Sequence, residues 1–222
     1  MAQILESFEI ASPEQGRPFR IDLVQGLDDE HLAYIEEQWN PVAKRQHDLA
    51  LLEFFTLPQE RQSVEAFREI LSRLGIPDKH WNWRQKCTFA PGGNRRVYGL
   101  LNADHVEAAM LLALGRQARS GGVIGEPIIY VDYLAVAPWN RTAIQNPERF
   151  RRLGTLLLGA AVETSRILGM SGRCGLHALP SSEGFYRRLG MTELGIDPSY
   201  HGLRYFEFDA ASAMKFLGKE NV

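Results

Sequence analysis

Apolar and polar positions change period several times along the chain, and each change marks an element. Residues 19–27, FRIDLVQGL, alternate closely enough for a strand. Asp28 or Asp29 then stands ready to cap a helix through His31, Leu32, Tyr34 and Ile35. From 42 to 62 the pattern is mixed. Beyond it Val64, Phe67, Ile70, Leu71 and Leu74 keep helical spacing until Gly75 and Pro77 stop them. Residues 79–94 scatter Trp81, Trp83 and Phe89 among polar side chains and end in the turn-forming run Pro91-Gly92-Gly93-Asn94.

Two strand-like runs follow, 96–102 and 106–114, with a hairpin turn between them at Asn102-Ala103-Asp104-His105. A glycine-rich, mildly basic loop over 115–127 leads to residues 128–136, IIYVDYLAV. This run is apolar on both faces, as expected of a central strand covered on both sides. Asp132 is its one charged residue, and Pro138 ends its pairing. From Leu153 the apolar positions Leu156, Leu157, Ala160, Ala161, Ile167 and Leu168 mark the clearest helix, closed by Gly169. A strand at 173–179, a short helix at 181–189 and two strands at 191–195 and 203–208 complete the series.

Composition narrows the class. The chain has 222 residues, 45% hydrophobic and 23% charged, which suits one soluble domain spanning 1–222. Its net charge of -2 supplies no field to hold a polyanion or an anionic bilayer, so an anion site has to be local. Cys87 and Cys174 are far apart, and the first residues carry neither a basic nor an apolar leader, so a reduced, cytoplasmic protein is expected. Apolar runs fall short of the ~20 residues that cross a bilayer. The six histidines lack ligand spacing, and no metal is expected.

The charges that change the picture lie where the clear helix begins. Arg149, Arg151 and Arg152 precede its first turn with Glu148 as the only adjacent balance. Cations at a helix N-terminus oppose the dipole by ~0.3–1 kcal/mol each. A bound phosphate would resolve the conflict; arginines turned to solvent and paired with acids would resolve it too.

Context decides. The run Tyr133-Leu134-Ala135-Val136-Ala137-Pro138, then Arg149-Phe150-Arg151-Arg152-Leu153-Gly154-Thr155, then Phe185-Tyr186-Arg187-Arg188-Leu189-Gly190-Met191 resemble, in this order, three motifs of the GCN5-related N-acetyltransferase (GNAT) superfamily. These are its fourth strand, its phosphate loop Q/R-x-x-G-x-G/A and its FYxxxGF ending. Arg149 and Gly154 match the loop signature, Arg152 stands where its first glycine does, and Met191 takes the phenylalanine position. The resemblance is firm over 96–208 and weak over 19–74; 79–94 reads as an inserted segment.

The resemblance implies an α/β (α+β) GNAT fold: a mixed, mostly antiparallel central sheet with helices on both faces, splayed between the family's fourth and fifth strands. It implies acetyl-CoA as co-substrate, its pantetheine arm on the backbone of Leu134, Ala135 and Val136, and its pyrophosphate on the N–H groups of Arg151, Arg152, Leu153, Gly154 and Thr155 with Arg149 nearby. Acetyl transfer would follow by direct attack of a primary amine on a small molecule or protein. Tyr186 matches the family's acid, with packing as its other reading. Asp132 is the base candidate, since a lone carboxylate in a covered strand is readily made to accept a proton, although pairing with an arginine would serve structure alone. His177 is a reserve base, Ser181 and Ser182 read equally as cofactor contacts or caps, and Trp81, Trp83 and Trp139 as substrate walls or cover. Two alternatives remain: a GNAT-type toxin acetylating aminoacyl-tRNA, and a coenzyme A-binding module without catalysis. A homodimer is compatible with the family.

Overall fold

The computed structural model describes residues 2–88, 93–120 and 123–220. The elements in chain order are β1 (Gln3–Ser12), β2 (Arg17–Gln25), α1 (Asp29–Tyr34), α2 (Asn40–Thr56), α3 (Val64–Arg73), α4 (Trp83–Thr88), β3 (Arg95–Asn102), β4 (His105–Gln117) and β5 (Pro127–Val136). They continue with α5 (Leu153–Ile167), β6 (Cys174–Ala178), α6 (Glu183–Leu189), β7 (Thr192–Asp197), β8 (Leu203–Phe208) and α7 (Ala210–Glu220). The strands hydrogen-bond in the order β1-β2-β3-β4-β5-β6-β8-β7. The pairs β1–β2, β2–β3, β6–β8 and β7–β8 are antiparallel, and β5–β6 is parallel. This is the mixed, mostly antiparallel sheet expected of the sequence.

Two compact units can be distinguished, residues 1–89, 98–109 and 135–153 in the first and 90–97, 110–134 and 154–222 in the second. In the first, β1 and β2 form a hairpin and β2 continues onto β3 through Asp22–Gln25. Asp28 caps α1, accepting from the His31 backbone N–H at 3.3 Å, so the first of the two proposed caps is the one used. The chain then passes through a wide π turn, Ile35–Trp39, directly into α2. Pro41 accounts for the break, because it has no N–H to give and its ring crowds the carbonyl four residues back. Trp39 inside this turn is buried and donates its indole N–H to the Val106 carbonyl at 3.1 Å, fixing the helices to β4.

The second unit is built on β4, β5 and β6. Met110, Leu111 and Leu112 of β4, Ile128 and Ile129 of β5 and Leu157 and Leu158 of α5 are fully buried, the all-round apolar character that the sequence assigned to a covered sheet. β5 pairs with β6 only at Ile129 with Cys174 and Tyr130 with Gly175. β6 meanwhile stays paired with β8 along its whole length, from Cys174 with Phe208 to Ala178 with Arg204. The ladder between β5 and β6 therefore ends early, which is the splay that the fold class requires. α6 ends at Gly190, φ 91°, where its N–H and that of Met191 return to the carbonyls of Arg187 and Tyr186.

Four elements escaped the sequence pattern: β1, α2, α4 and α7. The apolar side chains of α2 do not share one face, and Leu49, Leu52 and Phe55 are exposed. A helix of that kind lacks the one-sided stripe by which helices are read. The turn expected at 91–94 and the middle of the 115–127 loop fall partly outside the described residues.

Candidate functional site

The connection from β5 to α5 is held by residues of the first unit. Glu107, on β4, is 0% exposed, and its Oε2 accepts from Trp139 Nε1 at 2.6 Å and Asn140 Nδ2 at 2.8 Å. Its Oε1 meets Arg149 Nη1 at 3.0 Å as an ion pair without a linear hydrogen bond. Burial pushes the Glu107 carboxyl above the usual range, against the pull of Trp139, Arg149 and Asn140. Asn140 Oδ1 accepts from the Phe150 backbone at 2.9 Å, and the Trp139 carbonyl from the Arg149 backbone at 3.0 Å. One buried carboxylate thus organises both ends of the loop that leads into α5.

Most of the arginines expected around a phosphate are already engaged. Arg149 is committed to Glu107. Arg151 Nε donates to Glu148 Oε1 at 2.6 Å. The Glu148 carboxyl is drawn below its usual range although burial, the largest influence, pushes it the other way; its backbone and Arg151 hydrogen bonds together prevail. Arg152 holds φ at 65°, the left-handed region, immediately before Leu153 starts the 15-residue helix α5. Glycine reaches that region freely and an L side chain does so at a cost of ~1–2 kcal/mol. A Cβ on Gly154 would come within 3.4 Å of the Phe185 ring and 3.8 Å of Leu134, so the helix start packs against β5 and α6 inside the second unit. Thr155 is buried.

Ala135 is buried in β5. The Val136 carbonyl, one of the backbone groups expected to meet a pantetheine arm, accepts from Arg141 Nε at 2.9 Å and Nη2 at 2.7 Å. Arg141 also binds Asp78 through both terminal nitrogens, at 2.6 and 2.8 Å. This side chain locks the end of β5, and nothing in the local sequence around Val136 announces it.

In the second unit Tyr186 is 7% exposed, its hydroxyl held well above the usual phenol range by burial and then by neighbouring Cys174. Burial lifts the Cys174 thiol to about 12. Burial thus keeps this phenol neutral and makes it a weaker acid than a free tyrosine. Asp132 pairs with Arg95 Nη2 at 3.3 Å, so its charge is balanced within the unit. His177, whose side chain is 2% exposed, accepts from the Tyr130 hydroxyl at Nδ1, 2.7 Å, and donates from Nε2 to Asp197 Oδ2 at 3.1 Å. Burial holds the imidazole below its usual range against the opposing Asp197 bond. Burial holds the Tyr130 hydroxyl far above the usual phenol range, so it keeps its proton and, with Asp197, fixes the neutral His177 ring. His177 was legible as a candidate, whereas Tyr130 and Asp197, 47 and 20 residues away in sequence, were not.

Ser181 lies in a single 3-10 turn, Pro180–Ser182, and Ser182 makes no side-chain cap to α6. Trp83 is buried and edge-on to Trp81, while Trp139 serves Glu107. Among the described residues no group of three His, Cys, Asp or Glu could hold a metal, and no helix is long and apolar enough to cross a membrane.

No protein-family model matches the chain, and no curated protein matches it. Solved structures do. A bacterial toxin is 14% identical with a TM-score of 0.49, covering 63% of this chain and 79% of its own. The PaiA N-acetyltransferase of Thermoplasma acidophilum in complex with coenzyme A is 14% identical with a TM-score of 0.45, covering 84% and 97%. A putative GNAT-family acetyltransferase of Desulfovibrio desulfuricans is 13% identical with a TM-score of 0.44, covering 84% and 96%. The chain is similar to these proteins, and at such identities neither substrate nor residue roles carry across.

Proposed function

We propose that the chain is an acyl-CoA-dependent N-acyltransferase of the GNAT type. The observation that carries the reading is the backbone of Arg152. At the one position where the phosphate-loop motif lacks its glycine, the chain still takes the left-handed conformation that a glycine would supply. Ala103, Ser171 and His201 take the same conformation in turns, so what supports the reading is its place: immediately before the first N–H groups of α5, at the position of the motif's glycine.

In this reading the backbone N–H groups of Arg151, Arg152, Leu153, Gly154 and Thr155 hold the pyrophosphate. The paired states of Arg149 and Arg151 leave the helix terminus, not their charges, as the main attraction. The backbone of Leu134 and Ala135 offers the extended surface for the pantetheine arm, with the Val136 carbonyl given to Arg141. Acetyl-CoA would supply the thioester. Tyr186, at the acid position of the FYxxxGF motif, protonates the departing thiolate; burial keeps its phenol neutral but weakens it as an acid, so the charge developing on the sulfur has to draw the proton across. Asp132 takes the amine proton only by giving up part of its pairing with Arg95; we give it the base role, with His177, engaged at both ring nitrogens, in reserve.

Thiol release from acetyl-CoA, followed over a panel of primary amines, tests the proposal. Turnover with at least one amine, with kcat lowered at least tenfold by Tyr186→Phe and KM for acetyl-CoA little changed, is expected. Coenzyme A binding seen by calorimetry without turnover on any amine would leave a binding module instead, and failure to bind coenzyme A would overturn the reading altogether.

A further inference from the structure

The second unit contains a cleft of about 390 Å³, within the ~300–1,000 Å³ range of small-molecule sites, lined by aromatic rings and two arginines. Tyr130, His177 and Tyr205 form its inner side. Tyr200 lies flat on His177, ring centroids 3.9 Å apart and planes within 3°. The stack presents a broad, rigid aromatic wall.

The charges of this cleft are unequally satisfied. Asp197 binds Arg119 Nη1 at 2.6 Å, accepts from His177, and accepts from the backbone and hydroxyl of Ser199 at 3.0 and 2.5 Å. Those bonds hold its carboxyl far below the usual range. Glu207, fully buried, accepts from the backbone N–H groups of Arg119 and Ser120 at 2.8 and 3.0 Å, from the Ser120 hydroxyl, and from the Tyr205 hydroxyl at 3.0 Å. Both acids are therefore consumed in shaping the rim. Arg116 is left: exposed, its guanidinium 5.4 Å from the Tyr130 ring centroid, donating to the Tyr200 hydroxyl at 3.0 Å, and paired with no carboxylate among the described residues.

A guanidinium with a free edge is a planar fork that matches the two oxygens of a carboxylate. Flat rings beside it gain most from an aromatic or large apolar body. A polyphosphate or nucleic acid would call for several free cations, and only one is present. We propose that this cleft takes an aromatic α-amino acid, its carboxylate on Arg116 and its side chain against Tyr130 and Tyr200. Its amine then lies beside the Tyr130–His177–Asp197 line. That the amine is the group acylated rests on the acyltransferase reading above; that the cleft binds the molecule does not.

Titration calorimetry with the full chain separates the two. L-tyrosine and L-phenylalanine are expected to bind, phenethylamine, which lacks the carboxylate, to bind at least tenfold more weakly, and Arg116→Met to erase that difference. Coenzyme A affinity, measured on the same Arg116→Met protein, is expected to be unchanged, which also shows that the variant is folded. Equal affinity for phenethylamine and L-phenylalanine, no binding of either amino acid, or tighter binding of adenosine monophosphate than of L-tyrosine would overturn the proposal. Amino-acid binding in a protein that fails to bind coenzyme A would uphold the cleft and remove the acyltransferase reading.

Discussion

Arg152 shows how one residue can depart from a motif and still preserve its geometry. It stands where the motif has its first glycine, and its φ of 65° means that the residue carries the turn at a conformational cost. Arg152→Gly is expected to raise stability by about 1 kcal/mol and to leave coenzyme A affinity within twofold, whereas Arg152→Val, branched at Cβ, is expected to lower both. Urea midpoints and calorimetry on the two variants check this; a loss of affinity in Arg152→Gly would return the side chain to the site. Glu107 makes the converse point. It is the one charged residue in the first ten positions of β4, the same signal that drew attention to Asp132 in β5, and its importance was there to be read. What could not be read was the identity of its partners, which lie 32 to 42 positions further on, at Trp139, Asn140 and Arg149.

At the level of elements, the sequence was most informative where burial is one-sided or complete. The helix expected from Leu153 begins at that residue, and the last strand, 203–208, has the expected bounds. It was least informative where the chain bends within a run, as at the π turn before Pro41, or where the apolar side chains of a helix face several directions, as in α2. The β5-to-α5 connection is long, yet it is ordered by hydrogen bonds converging on Glu107 instead of by regular structure. Glu107→Ala strands Arg149 and frees Trp139 and Asn140, and is expected to cost about 3–5 kcal/mol in the urea-unfolding free energy. Glu107→Gln retains acceptors for Trp139 and Asn140 and is expected to cost clearly less. Equal losses would mean that the charge, and not the hydrogen bonding, orders the connection.

For the molecule as a whole, histidine burial contributes to the loss of stability between pH 7.5 and 5.5, above the range where Asp197 and the other paired carboxylates take up protons. His177, and in the first unit His47 and His80, are all held below the usual imidazole range, with burial as the leading cause. The unfolded chain takes up protons near pH ~6.5 that the folded chain still refuses, so stability is full above that pH and declines as pH falls through the folded values. Urea midpoints at pH 7.5 and 5.5 are expected to differ in that direction, and His177→Gln, which can still bridge Tyr130 and Asp197, is expected to shrink the difference by its own share. An undiminished difference would place the proton uptake elsewhere. The fold class was legible in three ordered motifs, while the cleft was hidden, because Arg116, Tyr130, His177 and Tyr200 sit on four separate stretches that only the strand register assembles.

That register depends on an atom that is not there. Gly175 pairs with Tyr130, and a Cβ on it would fall 2.2 Å from the Tyr205 hydroxyl, far closer than an unbonded carbon and oxygen come. The phenol that steadies Glu207 therefore occupies the very volume that a methyl group would claim. Sheet and cleft share this space, so a lineage could not enlarge residue 175 without also redrawing the aromatic wall. Binding preference in this protein would drift in step with strand packing, and variants selected for one would be found altered in the other.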